Sequence, residues 1–136
     1  MKNKIFIFDL DDTLYKEIDF LYSAYREIAG WIELKFSLKG IYAFMLETYK
    51  EQADVFSRLI DTYDLSLTKA DLLSIYRSHR PNIRLELDTL KVLEVLKRDF
   101  TLGMITDGRS ITQRNKFQAL GCLLYTSDAA DDMQCV

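Results

Sequence analysis

The chain has 136 residues, of which 49% are hydrophobic and 12% are aromatic, and its formal net charge is −3. This length matches one ordinary domain, and the apolar content excludes a compositionally disordered chain. Its 18 basic residues are balanced by acids and form no clustered face, so no nucleic-acid partner is expected. No apolar run is long enough to span a bilayer or to act as a secretory signal, and we expect a soluble, cytoplasmic protein.

Residues 122–136 differ in composition from the rest of the chain. Both cysteines lie there, together with the three acids that account for the net charge. The back-translation of residues 122–132 resembles, in frame, the transposon-end adapter used to prepare sequencing libraries. We interpret residues 122–136 as a non-native or disordered tail, and a native acidic C-terminus is the alternative. The lack of cysteine in residues 1–121 fits a reducing compartment.

The first predicted element is a strand over residues 4–10, an apolar run rich in Ile and Phe. Its lack of alternation predicts burial on both faces, as in a parallel sheet. From about residue 17 the apolar residues recur at helical spacing, with a pause near residues 37–40. Thr68 and Asp71 have the spacing of a capping box, which predicts the start of a further helix that ends before Pro81.

The remaining pattern predicts helix, strand and helix. Asp88 is the expected N-cap of the first of these helices, and a second apolar strand follows over residues 101–106. Ser110 is the expected cap of the last helix, which ends at Gly121, the residue type preferred just past a helix end.

The helical stretch between the two strands is longer than a simple βαβ crossover requires. We therefore predict an α/β fold, in which a Rossmann-like core with a partial parallel sheet carries an inserted helical domain. The predicted organisation is core over residues 1–14, inserted cap over 15–85, core over 86–121 and tail over 122–136.

Two carboxylates directly follow the first predicted strand, namely Asp9 and Asp11. Ligands of open α/β sheets bind at the carboxyl ends of strands, so this pair can converge on one site. With a divalent cation, such a pair suits phosphoryl transfer: one Asp attacks phosphorus and the other serves as acid and base. The sequence does not match a calcium-binding loop that starts at Asp9. Such a loop requires Gly at position six and Glu at position twelve, where this chain has Leu14 and Phe20. An ordinary acidic turn explains only one of the carboxylates.

The stretch Asp9-Leu-Asp-Asp-Thr13 after an apolar strand resembles motif I of the haloacid dehalogenase-like (HAD) hydrolases, and Met104–Gly108 resembles motif II. The resemblance covers residues 1–121. It implies that the inserted helices form a cap of type C1, which in this family lies between the two motifs.

The resemblance also implies roles for individual residues. Asp9 would be the nucleophile and a Mg²⁺ ligand, and Asp11 the acid/base and a second Mg²⁺ ligand through its backbone carbonyl. Thr106 would bind a phosphate oxygen through its hydroxyl. The backbone N–H groups of Leu10 and Asp107 would assist, since loop amides favour anions.

Within the family, the second Asp and Thr13 favour a phosphatase over a dehalogenase or a phosphosugar mutase. We therefore expect hydrolysis of a small phosphorylated metabolite through a covalent aspartyl-phosphate with Mg²⁺. A phosphotransferase or mutase, or a non-catalytic helical binding module with a vestigial motif I, are the alternatives.

Motif III, a lysine, and motif IV, one or two aspartates, would lie beyond Gly121 and are absent from the chain. We therefore expect the chain as written to be inactive and poorly stable, and its full-length parent to be active. Lys116 is expected on the solvated face of its helix. His79, the one histidine, is expected at the surface near a helix end.

The aromatic residues of the inserted helices are expected mainly to pack against one another. One or two of them are expected to face the substrate, and Tyr15 and Lys16 are expected near the hinge of the cap. The aromatic set is Tyr22, Tyr25, Trp31, Tyr42, Phe44 and Tyr49.

Overall fold

A computed structural model describes residues 3–121 of the chain and the backbone of residues 125–126 and 133–134. The strands are β1 (Ile5–Phe8), β2 (Thr101–Met104), β3 (Tyr125–Thr126) and β4 (Met133–Gln134). The helices are α1 (Glu17–Phe36), α2 (Ile41–Lys50), α3 (Val55–Tyr63), α4 (Lys69–Ser78), α5 (Leu87–Asp99) and α6 (Ser110–Ala119). This order confirms the predicted strand, helical insert, helix, strand and helix. Apart from the backbone of β3 and β4, the predicted tail over 122–136 lies outside the described residues.

The sheet is built on a parallel pair. The strand order is β1-β2-β4-β3, with β1 parallel to β2 and β4 antiparallel to both of its neighbours. Ile5 lies opposite Thr101 and Phe8 lies opposite Met104, so the two strands end at the same edge. The α/β class, with a partial parallel sheet and inserted helices, is confirmed.

The predicted burial of the first strand on both faces is wrong. Ile5 is 67% exposed, Phe6 39% and Ile7 53%. The reason is the position of β1 in the sheet: it is an edge strand, hydrogen-bonded to β2 alone among the described strands. Phe6 makes ring contacts with Phe8 and Phe100, at centroid separations of 4.9 and 5.7 Å. β1 is therefore an apolar edge of the described sheet.

The chain divides into two compact units. Unit 1 comprises Met1–Leu21 and Arg80–Val136, and unit 2 comprises Tyr22–His79. Each unit has a core of fully buried apolar side chains. In unit 1 these include Leu10, Phe20, Leu93 and Phe117, and in unit 2 they include Ile28, Ile32, Ile41, Met45, Leu59 and Leu72.

Local hydrogen bonds define the helix starts in unit 2. The predicted capping box at the start of α4 is confirmed, since the side chain of Thr68 accepts from the Asp71 N–H and the Asp71 carboxylate accepts from the Thr68 N–H. The helical stretch after residue 40 consists of two helices. Between them, Gln52 has a left-handed φ of 58°, and Asp54 caps α3 by accepting from the Ser57 N–H.

The predicted caps in unit 1 are off by one or two residues. Glu86 is the N-cap of α5, so Asp88 lies inside the first turn of the helix. Arg109 is the N-cap of α6, and Ser110 is its first residue. Neither of these N-caps accepts a side-chain hydrogen bond. Gly121 follows the C-cap residue Leu120, as predicted for the end of the last helix, and its φ of 76° is left-handed.

None of the helices in the described part of the chain combines the length and the apolarity that a bilayer crossing requires.

The capping box makes a stability prediction. Thr68→Ala removes the side-chain acceptor of the Asp71 N–H and leaves that N–H only the Thr68 carbonyl, so we expect the free energy of unfolding to fall by about 1 kcal/mol. Thr68→Ser, which keeps the hydroxyl, should be close to wild type. Urea unfolding followed by circular dichroism provides the measurement, with Thr62→Ala on the exposed side of α3 as control. Equal losses for Thr62→Ala and Thr68→Ala would contradict the assignment.

Candidate active site

The two predicted motifs meet at the carboxyl edge of the β1–β2 pair. The register places Phe8 opposite Met104, and the Ile105 N–H continues the ladder by donating to the Phe8 carbonyl at 2.9 Å. Asp9 follows β1 directly, and Thr106 lies two residues beyond β2. Because parallel strands end together here, both residues leave the sheet at one edge.

The chain turns sharply after Asp9. The Leu10 carbonyl accepts from the N–H groups of Thr13 and Leu14, at 3.3 and 3.0 Å. Asp12 adopts a left-handed φ of 59°, a conformation that Asp tolerates better than most residues. Its carboxylate accepts from the Glu17 N–H at 2.9 Å and so satisfies a free donor at the start of α1. Asp12 therefore has a structural partner of its own.

Asp9 is exposed and lightly tethered. Its Oδ1 accepts from the Leu10 N–H at 2.8 Å, and within residues 3–121 this is its one hydrogen bond. The other carboxylate oxygen is therefore open to a ligand. The same contact engages the Leu10 N–H, which was predicted to assist in phosphate binding.

Asp11 accepts hydrogen bonds from three side chains through both of its carboxylate oxygens. Its Oδ1 accepts from the Tyr15 hydroxyl at 2.7 Å and from the Lys116 ammonium at 2.8 Å, and its Oδ2 accepts from Gln113 Nε2 at 3.0 Å. Burial raises the pKa of the Asp11 carboxyl. The hydrogen bonds from Lys116, Tyr15 and Gln113, with the positive charge of Lys116, outweigh burial and hold this pKa below its ordinary value. Asp11 is thus a carboxylate at neutral pH.

This lowered pKa predicts a pH-dependent stability. The pKa of Asp11 is lower in the folded chain than the value of about 3.9 expected for an unfolded Asp. Its ionisation therefore stabilises the fold above that pH, and the stabilisation is lost as the pH falls through the folded-state pKa. The wild-type free energy of unfolding should fall more steeply than that of Asp11→Asn from about pH 5 downwards. Urea unfolding at several pH values tests this, with Asp12→Asn as control, and parallel curves for wild type and Asp11→Asn would contradict it.

The prediction that Lys116 lies on a solvated face is wrong. Its side chain is only 5% exposed, and its ammonium forms the ion pair with Asp11. The ammonium also lies 4.7 Å from the ring centroid of Phe20 and 5.9 Å from that of Tyr15. The physical reason is that α6 turns a polar face inward, towards a carboxylate that needs a buried cation.

Gln113 is the residue that sequence reasoning missed. Its Nε2 lies 3.0 Å from Asp11 Oδ2, 2.6 Å from Thr106 Oγ1 and 3.0 Å from the Asp107 carbonyl oxygen. It therefore joins the turn after β1 to the loop after β2. A signal was present in the sequence: Gln113 and Lys116 are three residues apart, which places both on one face of α6.

The predicted site residues are thus brought together to different degrees. Asp11, Thr106 and the Asp107 carbonyl meet through Gln113. Asp9 leaves the same sheet edge, without a hydrogen bond to the other three within residues 3–121. Thr106 is half-buried, whereas the side chain of Asp107 is exposed.

The donor set suits a hard divalent cation only in part. No group of three or more Asp, Glu, His or Cys side chains in the described residues could hold a metal ion. Both oxygens of the Asp11 carboxylate already accept hydrogen bonds, so its side chain is not free to ligate. Asp9 offers an open carboxylate oxygen, and Mg²⁺ is commonly bound through one or two carboxylates, together with water and substrate phosphate. Of the two predicted carboxylate ligands, Asp9 is thus the one whose side chain could bind Mg²⁺.

His79 does not lie at the surface, as predicted, but is 7% exposed within unit 2. Its Nε2 lies 2.6 Å from Ser23 Oγ, and its Nδ1 lies 3.1 Å from Glu27 Oε2. This order of groups is that of a nucleophile, base and acid. However, Ser23 lies inside α1, where backbone N–H groups are taken by helix carbonyls and leave no oxyanion hole. The His79 contacts therefore tie the end of unit 2 to its first helix.

His79→Ala should lower the free energy of unfolding by about 1–3 kcal/mol, because it removes the two hydrogen bonds that this buried side chain makes to Ser23 and Glu27, each worth about 0.5–1.5 kcal/mol. Thermal or urea unfolding measures this, and the neighbouring Ser78→Ala, at an exposed position, should change stability by less than about 0.5 kcal/mol. If His79→Ala were as stable as wild type, the contacts of His79 with Ser23 and Glu27 would contribute nothing to stability.

Unit 2 holds a cavity of about 810 Å³, with two cations and three phenol rings among its lining residues. The Arg26 guanidinium lies 4.4 Å from the ring centroid of Tyr42. Tyr25, in contrast, is buried and packs against Tyr49, Phe56 and Tyr76. The cavity is lined by Tyr22, Arg26, Tyr42, Leu46, Tyr49, Lys50, Gln52 and Ala53.

Comparison with known proteins points to one family. A sequence model of the haloacid dehalogenase-like hydrolases matches residues 6–128. Comparison with curated protein sequences finds no significant match.

Among solved structures, the chain is similar to YfnB, an HAD-hydrolase from Bacillus subtilis bound to magnesium, with a TM-score of 0.54 and 20% identity over 87% of this chain and 58% of that one. A haloacid dehalogenase-like family hydrolase from Xanthomonas campestris gives a TM-score of 0.45 and 18% identity, covering 87% and 56% of the two chains. An HAD family enzyme from Bacteroides thetaiotaomicron, in complex with magnesium and inorganic phosphate, gives a TM-score of 0.38 and 16% sequence identity. The match covers 86% of this chain and 59% of that one. The chain thus spans under two thirds of the length of each of these structures.

Proposed function

Because the chain belongs to the haloacid dehalogenase-like hydrolases, we propose that the whole protein hydrolyses phosphomonoesters of small metabolites through a covalent aspartyl-phosphate on Asp9. The observation that carries the proposal is the meeting of motif residues at one sheet edge. Asp9 leaves β1 there with an open carboxylate oxygen, and Asp11 and Thr106 share the side-chain amide of Gln113. Paired carboxylates with separate environments suit separate chemical roles.

In the first step, the open oxygen of Asp9 attacks phosphorus, and the bond from phosphorus to the leaving oxygen breaks. Asp11, in its protonated form, gives its proton to the departing alkoxide. The products of this step are an alcohol and an aspartyl-phosphate.

In the second step, Asp11 takes a proton from water as the water oxygen attacks phosphorus. The acyl-phosphate bond breaks, inorganic phosphate leaves, and Asp9 is again a carboxylate. Thr106 donates its hydroxyl hydrogen to a phosphate oxygen in both steps. The ionised state of Asp11 in the free chain suits this second step, in which Asp11 is the base.

We further propose Mg²⁺ as the cofactor, held by the Asp9 carboxylate and the Asp11 backbone carbonyl. Support comes from the open carboxylate oxygen of Asp9 and from YfnB, a structurally similar HAD-hydrolase that is bound to magnesium. When bound, Mg²⁺ offsets the negative charges of the phosphoryl oxygens and of Asp9.

The test is hydrolysis of p-nitrophenyl phosphate by the whole protein with Mg²⁺. Asp9→Asn should abolish turnover, because an amide cannot form the acyl-phosphate. The matched control is Asp12→Asn, since Asp12 lies in the same turn but caps α1, and Asn keeps the capping oxygen. We expect Asp12→Asn to stay within about threefold of wild type, a change of roughly 0.6 kcal/mol in barrier.

Beryllofluoride, a mimic of the phosphoryl group, should bind to Asp9 with Mg²⁺ and give a ¹⁹F signal that Asp9→Asn abolishes. Release of inorganic phosphate in the presence of a competing alcohol separates a hydrolase from a phosphotransferase. Full activity of Asp9→Asn would refute the assignment of the nucleophile.

A further inference from the structure

We propose that Gln113 and Lys116, one turn apart on α6, are positioning residues of the active site, a role that rests on the function proposed above for Asp11 and Thr106. Lys116 holds the Asp11 carboxylate in place. Gln113 fixes the same carboxylate from its other oxygen and orients the hydroxyl of Thr106.

The amide of Gln113 can be oriented from its neighbours alone. Its terminal nitrogen faces a carboxylate oxygen of Asp11 and the backbone carbonyl of Asp107, at 3.0 Å each. A backbone carbonyl can only accept a hydrogen bond, and the Asp11 carboxylate also accepts from Lys116 and Tyr15. The NH₂ end of the amide, rather than its carbonyl, must therefore point into the site.

This orientation determines the hydrogen-bonding state of Thr106. The NH₂ group has two hydrogens for three acceptors, so one hydrogen is shared between two of them. Thr106 Oγ1, at 2.6 Å, is the nearest of the three, and its oxygen accepts from the amide. A hydroxyl carries one hydrogen and can accept as well as donate. With Gln113 as the donor, the Thr106 hydrogen is left to be given to a third group. An ionised phosphate oxygen can only accept hydrogen bonds, so it is a suitable partner for the Thr106 hydroxyl hydrogen.

Lys116 acts on the opposite oxygen of Asp11. Its ammonium lies 2.8 Å from Oδ1, on the same oxygen that accepts from the Tyr15 hydroxyl at 2.7 Å. Three donors on two oxygens leave the Asp11 carboxylate little freedom to rotate. Fixed geometry is worth much to a proton-transfer group, since a misplacement of about 1 Å can cost about 10²-fold in rate.

The loop after β2 is shaped around Gln113. Gly108 has a φ of 128°, a conformation that residues with a side chain rarely adopt. A Cβ at this position would lie 3.2 Å from Gln113 Cδ. The glycine thus leaves room for the Gln113 side chain to reach Asp11 and Thr106.

A purely structural role for this pair is the competing explanation, because breaking a buried ion pair destabilises a protein in any case. The two roles differ in what they predict for enzyme that remains folded. Loss of a structural contact lowers stability and leaves the kcat of the folded fraction unchanged. Loss of a positioning contact lowers kcat even where the fold is intact.

Steady-state kinetics of the whole protein with p-nitrophenyl phosphate and Mg²⁺ separates the roles. Lys116→Met, which keeps the length of the side chain, should lower kcat about 10- to 100-fold with KM within about threefold, and Lys116→Arg should recover part of the loss. Gln113→Met should lower kcat and also raise KM, because it disturbs Thr106 as well.

The control variants are Lys91→Met on α5 and Gln118→Glu on α6. Both residues are exposed, and both variants are expected to have wild-type rates. Folded Lys116→Met and Gln113→Met with kcat within twofold of wild type would overturn the proposal.

Nuclear magnetic resonance of the whole protein gives a readout that does not depend on turnover. A buried ammonium bonded to Asp11 should exchange its hydrogens slowly enough to give its own ¹H–¹⁵N signal, and Asp11→Asn should abolish that signal. Exchange of the Lys116 ammonium as fast as that of exposed Lys91 would overturn the positioning role alone. Full turnover by Asp9→Asn, in contrast, would overturn the proposed function and leave the ammonium signal in place.

Discussion

The structure of unit 1 depends on the pairing of a half-buried carboxylate with a buried ammonium. Removing the Asp11 charge from water is unfavourable unless donors replace the lost hydration, and Lys116, Tyr15 and Gln113 supply them. Two of these donors come from α6, so this helix must lie against the turn after β1. The parallel register of β1 and β2 provides that proximity, because it brings the start of α6 to the end of β1. The fold and the site are thus stabilised by the same contacts.

The same contacts set the chemical state of Asp11. A carboxylate that is held ionised is ready to accept a proton from water, but it must gain one before it can protonate a leaving group. In the proposed reaction, an arriving phosphate would bring negative charge towards Asp11, and a nearby like charge favours the protonated form of a carboxyl. Ligand binding and proton uptake at Asp11 would then be coupled by electrostatics. Lys116 limits the coupling, because its positive charge opposes protonation.

Much of the fold could be predicted from local pattern. The order of elements, the capping box at Thr68 and the end of the last helix before Gly121 depend on short-range sequence, and all three are confirmed. The burial of His79 and Lys116 could not be predicted, because a polar residue on a helix has the same local signature whether it faces solvent or a buried partner. Of the site, the positions of Asp9 and Thr106 at one sheet edge follow from the strand order. The bridge through Gln113 does not, because it joins segments that are distant in sequence.

The pairing of β1 with β2 also has a consequence for how the chain folds. Ile5 must find Thr101, and the whole of unit 2 lies between them in sequence. Closing so long a loop is entropically unfavourable, and contacts of this range form slowly. The helices of unit 2 pack against segments that are closer in sequence, so they can form while β1 is still unpaired. During synthesis on the ribosome, β1 therefore emerges well before its partner β2, and its apolar side chains stay unpaired in the interval.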